Sequence, residues 1–449
     1  MQFELTREFV QELKSAIDQQ NNDFLTDQLK GLHPADISII LDELTNDESK
    51  YVLDLVDLEV RAEVITELDD DVRAKFLKEF EPSELAEVIS YVDSDDAADI
   101  LNEQNVTFRE EIIASIEEPE VTKNVTELLN YAEDTAGGLM AKEMIKANVN
   151  WSVNRCIDEI RRQRDEVERI YSIYVVDDRN TLLGILSLKK LILASDEAYV
   201  EDLYEKEIIS VKTSDREEEV AKIMSKYDLT VIPVVNVQNQ LIGRITIDDV
   251  VDVIQEQAEL DMQILSGISE SVESDDSVWA LTRARLPWLL IGVFGGLLGE
   301  KLLSFFQREL NPQSALLLFI PLIMATGGNV GIQSSTIVVQ SLANRTGLEE
   351  SVFRSLLKSF LVAILNGLLI AIILFGFNYF LSSDNELAVV VSIAIFSVVL
   401  IASFFGTVIP LILDKFGVNP AVASGPFITT FNDLMGIAIY FFIAYLLLK

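Results

Sequence analysis

Five long and almost uncharged apolar segments in the last third of the chain restrict what it can fold into. Each exceeds the roughly 20 residues that an α-helix needs to cross a bilayer. The sequence therefore predicts five transmembrane helices, at approximately 286–306, 313–343, 355–381, 387–413 and 421–448, within a membrane domain spanning 283–449. Glu300 and Lys301 interrupt only the far end of the first segment. The fifth segment contains one charge, Asp433, near its centre. An aspartate at mid-membrane costs roughly 2.5–3.5 kcal/mol on insertion scales. Apart from Lys301, every base of the region stands at a segment end or in a loop, which argues against a buried ion pair. Asp433 is read as a pore-lining group, with Thr429 and Gly436 on the same helical face.

Charge divides the chain at the same place. Residues 1–282 hold 65 acids and 26 bases, a net −39, while residues 283–449 are balanced at +1. A surplus of that size repels nucleic acid and anionic lipid and makes cations the natural counter-charge. One cysteine (Cys156) and one histidine (His33) leave no thiol or imidazole cluster for zinc. The opening MQFELTREFV lacks the basic and apolar regions of a secretory leader, so the acidic part is expected in the cytoplasm. Five crossings then put the C-terminus outside. That orientation leaves Arg283, Arg285, Arg345, Arg354, Lys358 and Lys415 on inner flanks, against Lys301, Arg308 and Lys449 on outer ones. The location expected is a cell membrane, crossed several times.

Two membrane segments depart from plain lipid-facing helices. The second carries Pro321 and then TGGNVGIQSS, Thr326–Ser335; the fifth opens with NPAVASGPFITTFND, Asn419–Asp433. Glycine and proline free backbone carbonyls, and small residues allow close backbone approach.

The acidic part reads as two regions. Residues 1–133 carry helical periodicity and little glycine, and Leu32–Leu44 matches Phe80–Val92 at an offset of 48, which suggests a small helical solenoid. Further on, Ile170–Ile192 aligns without gaps on Leu229–Val251 at an offset of 59. Each copy reads strand, turn, Gly, strand, helix start. These copies resemble paired CBS modules, here 134–200 and 201–258. In that family a G-x-x-[ST]-x-x-D run contacts adenosine ribose. The second copy has Gly243, Thr246 and Asp249, whereas the first has Lys190 in place of the acid. Out of the second module leads Asp248–Met262, in which Asp249, Asp252, Glu256 and Glu259 form an acidic stripe along one helix face; Asp95 and Asp99 make a similar pair. Like charges at this spacing oppose helix stability, and become favourable when a divalent cation bridges them to other acids.

PLIMATGGNVGIQS, NPAVASGPFITTFND and the joining YAEDTAGGLM (Tyr131–Met140) together resemble the MgtE-type magnesium transporters over essentially the whole chain. The resemblance implies a multi-domain fold: an all-α helical solenoid, α/β paired CBS modules, a connecting or plug helix region at 259–282, and a polytopic membrane domain with five transmembrane helices. It implies a homodimer in the lipid bilayer, with a pore along the dimer axis. The family's pore aspartate falls on Asp433, and its glycine–asparagine run on Gly327, Gly328 and Asn329. Its magnesium-sensing acids match Asp95, Asp99, Glu218, Asp228, Asp249 and Asp252, and Glu256, Glu259 and Asp261 of the plug helix are further ligand candidates. One departure is Asn419-Pro420, where the family commonly has Asp-Pro; another is Gln257 and Leu260, where acids are often seen.

The function expected is Mg²⁺ import down its electrochemical gradient, closed by intracellular Mg²⁺, with ATP as a candidate regulatory ligand. No enzyme motif is present: there is no phosphate-binding loop, and Asp414-Lys415-Phe416-Gly417 is not a phosphorylated Asp-Lys-Thr-Gly. The competing readings are a membrane-anchored adenine-nucleotide sensor without transport, and a transporter of Mn²⁺ or Co²⁺. Asp433 weighs against the first, since a pure anchor has no use for a mid-membrane carboxylate.

Overall fold

The computed structural model describes residues 5–163, 170–272, 276–309, 314–343, 352–381, 385–423 and 425–448. Arg345 and Lys449, used above in weighing orientation, and the expected segment limit at 313 lie outside these residues. The chain divides into two compact units, Met1–Ile254 and Gln255–Lys449.

The first unit opens with ten short helices: α1 (Arg7–Asp18), α2 (Asn22–Leu29), α3 (Pro34–Asp42), α4 (Asn46–Leu53), α5 (Leu58–Thr66), α6 (Asp70–Phe76), α7 (Pro82–Ile89), α8 (Ser94–Asn102), α9 (Val106–Ser115) and α10 (Pro119–Leu128). None is long enough to persist alone in water, so each depends on its caps and on one buried face. Thr45 and Glu48 form a reciprocal capping box at α4, and proline opens α3, α7 and α10 where its missing N–H costs nothing. The repeat at offset 48 is a packing repeat. Pro34 and Pro82 start equivalent helices, and Ile37, Ile40 and Leu41 of α3 are buried as Leu85, Val88 and Ile89 of α7 are.

Two three-stranded sheets follow. In the first, β1 (Ile145–Asn148) lies parallel to β2 (Ile173–Val176), which pairs antiparallel with β3 (Leu182–Leu186). In the second, β4 (Val211–Lys212), β5 (Val231–Val235) and β6 (Leu241–Thr246) repeat that order and sense. Three helices accompany the first sheet and the approach to the second: α11 (Val153–Arg162), α12 (Leu188–Leu193) and α13 (Glu217–Tyr227). The offset of 59 survives in fine detail. The ladder shifts between Val175 and Val176, and again between Val234 and Val235. Both hairpin turns hold an asparagine with positive φ, Asn180 at 62° and Asn239 at 60°. Each turn bonds the other copy: Asn180 Nδ2 donates to the Leu241 carbonyl at 2.7 Å, and Asn239 Nδ2 to the Leu182 carbonyl at 3.3 Å. Beneath this exchange, Met144, Tyr174, Val176, Leu182, Val235 and Leu241 form one shared apolar core. After β6 the chain enters α14 (Ile247–Leu265) without a break. The region expected at 259–282 therefore begins inside this helix, which ends at Leu265, and closes inside the following one, α15 (Val278–Glu309).

In the second unit, five helices among the described residues are long and apolar enough to cross a membrane. They are α15 (Val278–Glu309), α17 (Ile320–Ala343), α18 (Val352–Leu381), α19 (Asn385–Lys415) and α20 (Pro426–Leu448); a single turn, α16 (Ser314–Leu317), precedes α17. The second segment, expected at 313–343, is interrupted at Leu318 and Phe319, between α16 and α17. Pro321 falls in the first turn of α17, where it is tolerated, and α17 runs unbroken through Gly327, Gly328 and Gly331. The proline and glycine of the fifth segment act before the helix rather than inside it: Pro420–Ala423 form a 3-10 turn, Gly425 takes a φ of 62°, and Pro426 starts α20.

The reciprocal turns make a prediction. Asn239→Val puts a β-branched residue in the left-handed region and deletes an inter-module bond, for a combined loss of roughly 2–3 kcal/mol. Asn239→Gly should lose only the bond. Thermal unfolding of the two variants in parallel tests the ordering.

Candidate functional site

In the membrane unit, α17 presents glycines where α20 passes closest. The Cβ position of Gly328 lies 3.4 Å from Thr429 Cγ2 and 3.8 Å from Asp433 Oδ1. That of Gly327 lies 3.1 Å from Val398 of α19 and 3.7 Å from the Asn432 carbonyl. A side chain at Gly331 would overlap the Asn432 carboxamide. Asp433 is half-buried, with the bare backbone of Gly328 beside its carboxylate. Thr429 donates its hydroxyl proton to the Gly425 carbonyl at 2.9 Å, leaving its oxygen free to accept. Asn329 is exposed on α17. Asn432 is only 1 % exposed, and among the described residues neither of its carboxamide atoms has a partner. Leaving such an amide unpaired costs about 1–3 kcal/mol.

The C-terminal end of α14 packs against the start of α20 within the same unit. A side chain at Gly425 would strike the Leu265 carbonyl, and one at Gly267 would strike Pro426. Asn419 Nδ2 donates to Asp261 Oδ1 at 3.1 Å, and Gln257 Nε2 to the same oxygen at 3.2 Å. Asn419 Oδ1 also caps the following turn by accepting from Ala421 N at 2.8 Å. Asn419 thus holds Asp261, an acid near the end of α14.

In the first unit an acidic cluster gathers around α8. Asp95 is buried, not exposed as its pairing with Asp99 suggested; Asp99, one turn on, is exposed. Carboxylate oxygens of Asp93, Asp95 and Glu143 lie within 4.8 Å of one another, close enough to share one ion. Glu143 accepts from Ser94 N at 3.2 Å and Ser94 Oγ at 2.9 Å. Arg244, buried in β6, reaches Asp93 at 3.0 Å and donates to the Glu143 carbonyl. Asp249, at the start of α14, accepts from Thr246 Oγ1 at 2.5 Å and Thr246 N at 3.1 Å. Burial first, and then the charges of Asp96, Asp249, Asp93 and Glu143, raise the Asp95 carboxyl well above the ordinary aspartate range. Burial likewise raises Asp249, against the lowering effect of its bonds from Thr246.

The residues singled out from sequence are thus only partly brought together. Asp95 and Asp249 share one electrostatic environment. Glu218 and Asp228 occupy opposite ends of α13, Glu218 in the first turn 3.7 Å from Arg216 and Asp228 exposed at the C-cap with a φ of 52°. Asp252, Glu256 and Glu259 are exposed on α14, opposite buried Val250 and Val253. Of the nucleotide motif, Thr246 is engaged with Asp249, and Met140 and the Ala141 carbonyl fill the space over Gly243. Asp93, Glu143, Arg244 and Asn432 were not foreseen. Only the low-hydropathy Asn432 in an apolar segment carried a local signal.

A family model described as a divalent cation transporter, MgtE, matches residues 320–443. A second, for the MgtE intracellular N domain, matches 32–134, and CBS domain models match 136–197 and 200–256. The magnesium transporter MgtE of Thermus thermophilus is 33% identical over 443 residues, 97% of this chain and 98% of that protein. The magnesium transporter MgtE of Enterococcus faecalis is 34% identical over 325 residues, 72% of each chain. The crystal structure of the cytosolic domain of the Mg²⁺ channel MgtE in complex with ATP covers 54% of this chain and 99% of its own, at 33% identity and a TM-score of 0.51.

A group whose folded pKa is raised contributes stability that is complete below its unfolded value and is lost as pH rises through the folded one. For Asp95 and Asp249 the unfolded value is near 3.8. Metal-free protein should therefore lose thermal stability as pH climbs from about 4 toward neutrality. Asp95→Asn should flatten that dependence and raise the melting temperature at pH 7.5, as differential scanning calorimetry in chelator would record.

Proposed function

The chain belongs to the MgtE family of divalent cation transporters, and we propose that it imports Mg²⁺ down its electrochemical gradient through a path at which Asp433 holds the ion. The observation that carries this reading is the Asp433 carboxylate, half-buried in a membrane helix beside the bare face of Gly328. Mg²⁺ insists on six oxygens and surrenders water reluctantly. A path for it is best built to accept hydrogen bonds from its hydration shell. In a homodimer, one carboxylate from each subunit would face the ion across the axis, with the Thr429 oxygen and backbone at Gly327 and Gly328 supplying neutral acceptors beside it. Asn329 and Asn419 would line the path above and below, and the N-terminal unit would lie in the cytoplasm.

Closure would follow from ions bound to the cytosolic acids. Without metal, the charges of Asp95, Asp249 and their neighbours oppose one another; a bridging divalent cation reverses the sign of the interaction. Exposed Asp99, Asp228, Asp252, Glu256 and Glu259, with Glu218 and Asp261, would supply further bridges to facing acids. Because the two states differ in ions bound, Mg²⁺ shifts their populations. The continuous α14 supports the coupling, since it carries Asp249 in its first turn and packs Leu265 against Gly425 at its last. ATP would act on the paired modules, as the ATP-bound relative suggests. Its ribose would meet Gly243 and compete for the bond that Thr246 makes to Asp249.

Asp433→Asn keeps the side-chain size and removes the charge. Mg²⁺ uptake into proteoliposomes should fall to background while the purified variant keeps its oligomeric state. Uptake at the wild-type rate would sink the assignment.

The gating reading is tested by Asp249→Asn, Asp252→Asn, Glu256→Gln and Glu259→Gln combined. Wild-type residues 1–282 should gain protease protection across a Mg²⁺ titration, and the combined variant should not. Protection over the same range in both would reduce the stripe to a solvated face.

A further inference from the structure

Between α14 and α15 the chain turns back on a short connection that is pinned to three helices. Gly267 ends α14 with a φ of 85°, and Ile268 N closes the last turn by donating to the Gln263 carbonyl at 2.9 Å. Gln263 also acts through its half-buried side chain. Nε2 donates to the Val272 carbonyl at 2.9 Å, and Oε1 accepts from Val272 N at 3.0 Å. One carboxamide thus occupies both backbone groups of a residue nine positions on, as a neighbouring strand would. Ser269 N donates to the Ala284 carbonyl of α15 at 3.0 Å, and Glu270 meets Arg283 of the same helix at 3.3 Å. On the third side, Pro426 of α20 packs over Gly267 so closely that any side chain there would strike it.

A connection without secondary structure is slack by default, because each unfixed residue keeps its backbone freedom. A slack tether would let the end of α14 shift while α15 stays where it is. Here the slack is taken up at residues 266–272, and the two bonds of the Gln263 carboxamide fix the far end of that stretch. The ion pair between Glu270 and Arg283 adds little, since both side chains are well exposed. The pairing of Gln263 with Val272 is neutral, so it holds whether or not a cation is bound nearby. Its carboxamide offers donor and acceptor side by side, where a glutamate would set a second acceptor against the Val272 carbonyl.

We infer that Gln263 is a positioning residue of gating: its clamp on Val272 makes the end of α14, the start of α15 and the start of α20 move as one joint. This role rests on the proposed closure by Mg²⁺ bound at the cytosolic acids, and it supplies the element that carries that event into the membrane helices. Asp249 stands in the first turn of α14. A change of ion occupancy there displaces the far end of the same helix, and the clamp delivers the displacement to α15 and α20 together. Gln263 acts on the joint rather than on the ion, since both polar atoms of its side chain are engaged with Val272.

The test is Mg²⁺ current through full-length protein in excised patches, driven from the opposite face while Mg²⁺ is varied at the face that bears residues 1–282. Protease protection of those residues is followed in parallel. Wild-type current should fall over the Mg²⁺ range in which protection appears. Gln263→Met keeps the length of the side chain and deletes both bonds. Its protection should appear over the wild-type range or below it, because the sensor no longer has to move the pore. Suppression of its current should need roughly tenfold more Mg²⁺, the scale of two lost neutral bonds. Ser269→Pro removes the donor to Ala284 without touching Gln263, and should separate the two readouts in the same sense. It is read alone should Gln263→Met fail to assemble. Suppression at the wild-type concentration would overturn the inference. So would protection and suppression raised by one common factor, which means a general loosening of α14. A wild-type current that ignores Mg²⁺ at that face would remove the closure reading itself, and the role of Gln263 with it.

Discussion

The membrane unit depends on backbones that touch. Lipid tails are as apolar as leucine, so no hydrophobic force draws α17, α19 and α20 together; close packing and polar contacts must do it. A Cβ at Gly406 of α19 would stand 2.6 Å from the Gly331 carbonyl of α17, nearer than any side chain can approach. Against α20, Gly331 leaves the room that the Asn432 side chain fills, while the Cβ positions of Gly327 and Gly328 lie within ordinary contact of it. The glycines lower helix propensity, yet α17 runs unbroken, so packing outweighs propensity here. The same missing side chains that admit the neighbouring helices also leave the space in which Asp433 and Asn432 meet α17. Packing and site share one cause, and neither could be altered without the other.

The acidic unit solves a different problem. Arg244 is a buried cation in β6 that pairs with Asp93. Its guanidinium also lies 5.3 Å from the Tyr171 ring, so it is held from both sides. Removing Asp93, whose own side chain is 44 % exposed, would leave the buried guanidinium without its counter-charge. Asp95, by contrast, is buried among further acids and stays costly to ionise. That imbalance favours the protonated form of Asp95 where the helical region meets the second module.

What was legible in the sequence is what repeats or what is locally anomalous. The offset of 59 placed both hairpins, while the left-handed turns at Asn180 and Asn239 emerged only in the structure. The offset of 48 matched α3 to α7 residue by residue. Asp433 stood out because a charge in an apolar run needs no partner to be noticed. The contacts that complete each site were not legible, because they join distant residues: Arg244 meets Asp93 across 151 positions. Asp95 and Asp99 have identical chemistry and helical spacing, and only the packing of α8 buries one and exposes the other. For the glycines of the second membrane segment, the sequence displays their entropic cost and conceals the neighbour that offsets it.

The replacement of an acid by Asn419 follows from the same local logic. An aspartate there would face Asp261 at hydrogen-bond distance, and the pair would repel unless a cation lay between them. Asparagine turns that repulsion into a donated bond while its Oδ1 still caps the turn before α20. The end of α14 is therefore tied to the start of α20 by a contact that does not depend on metal.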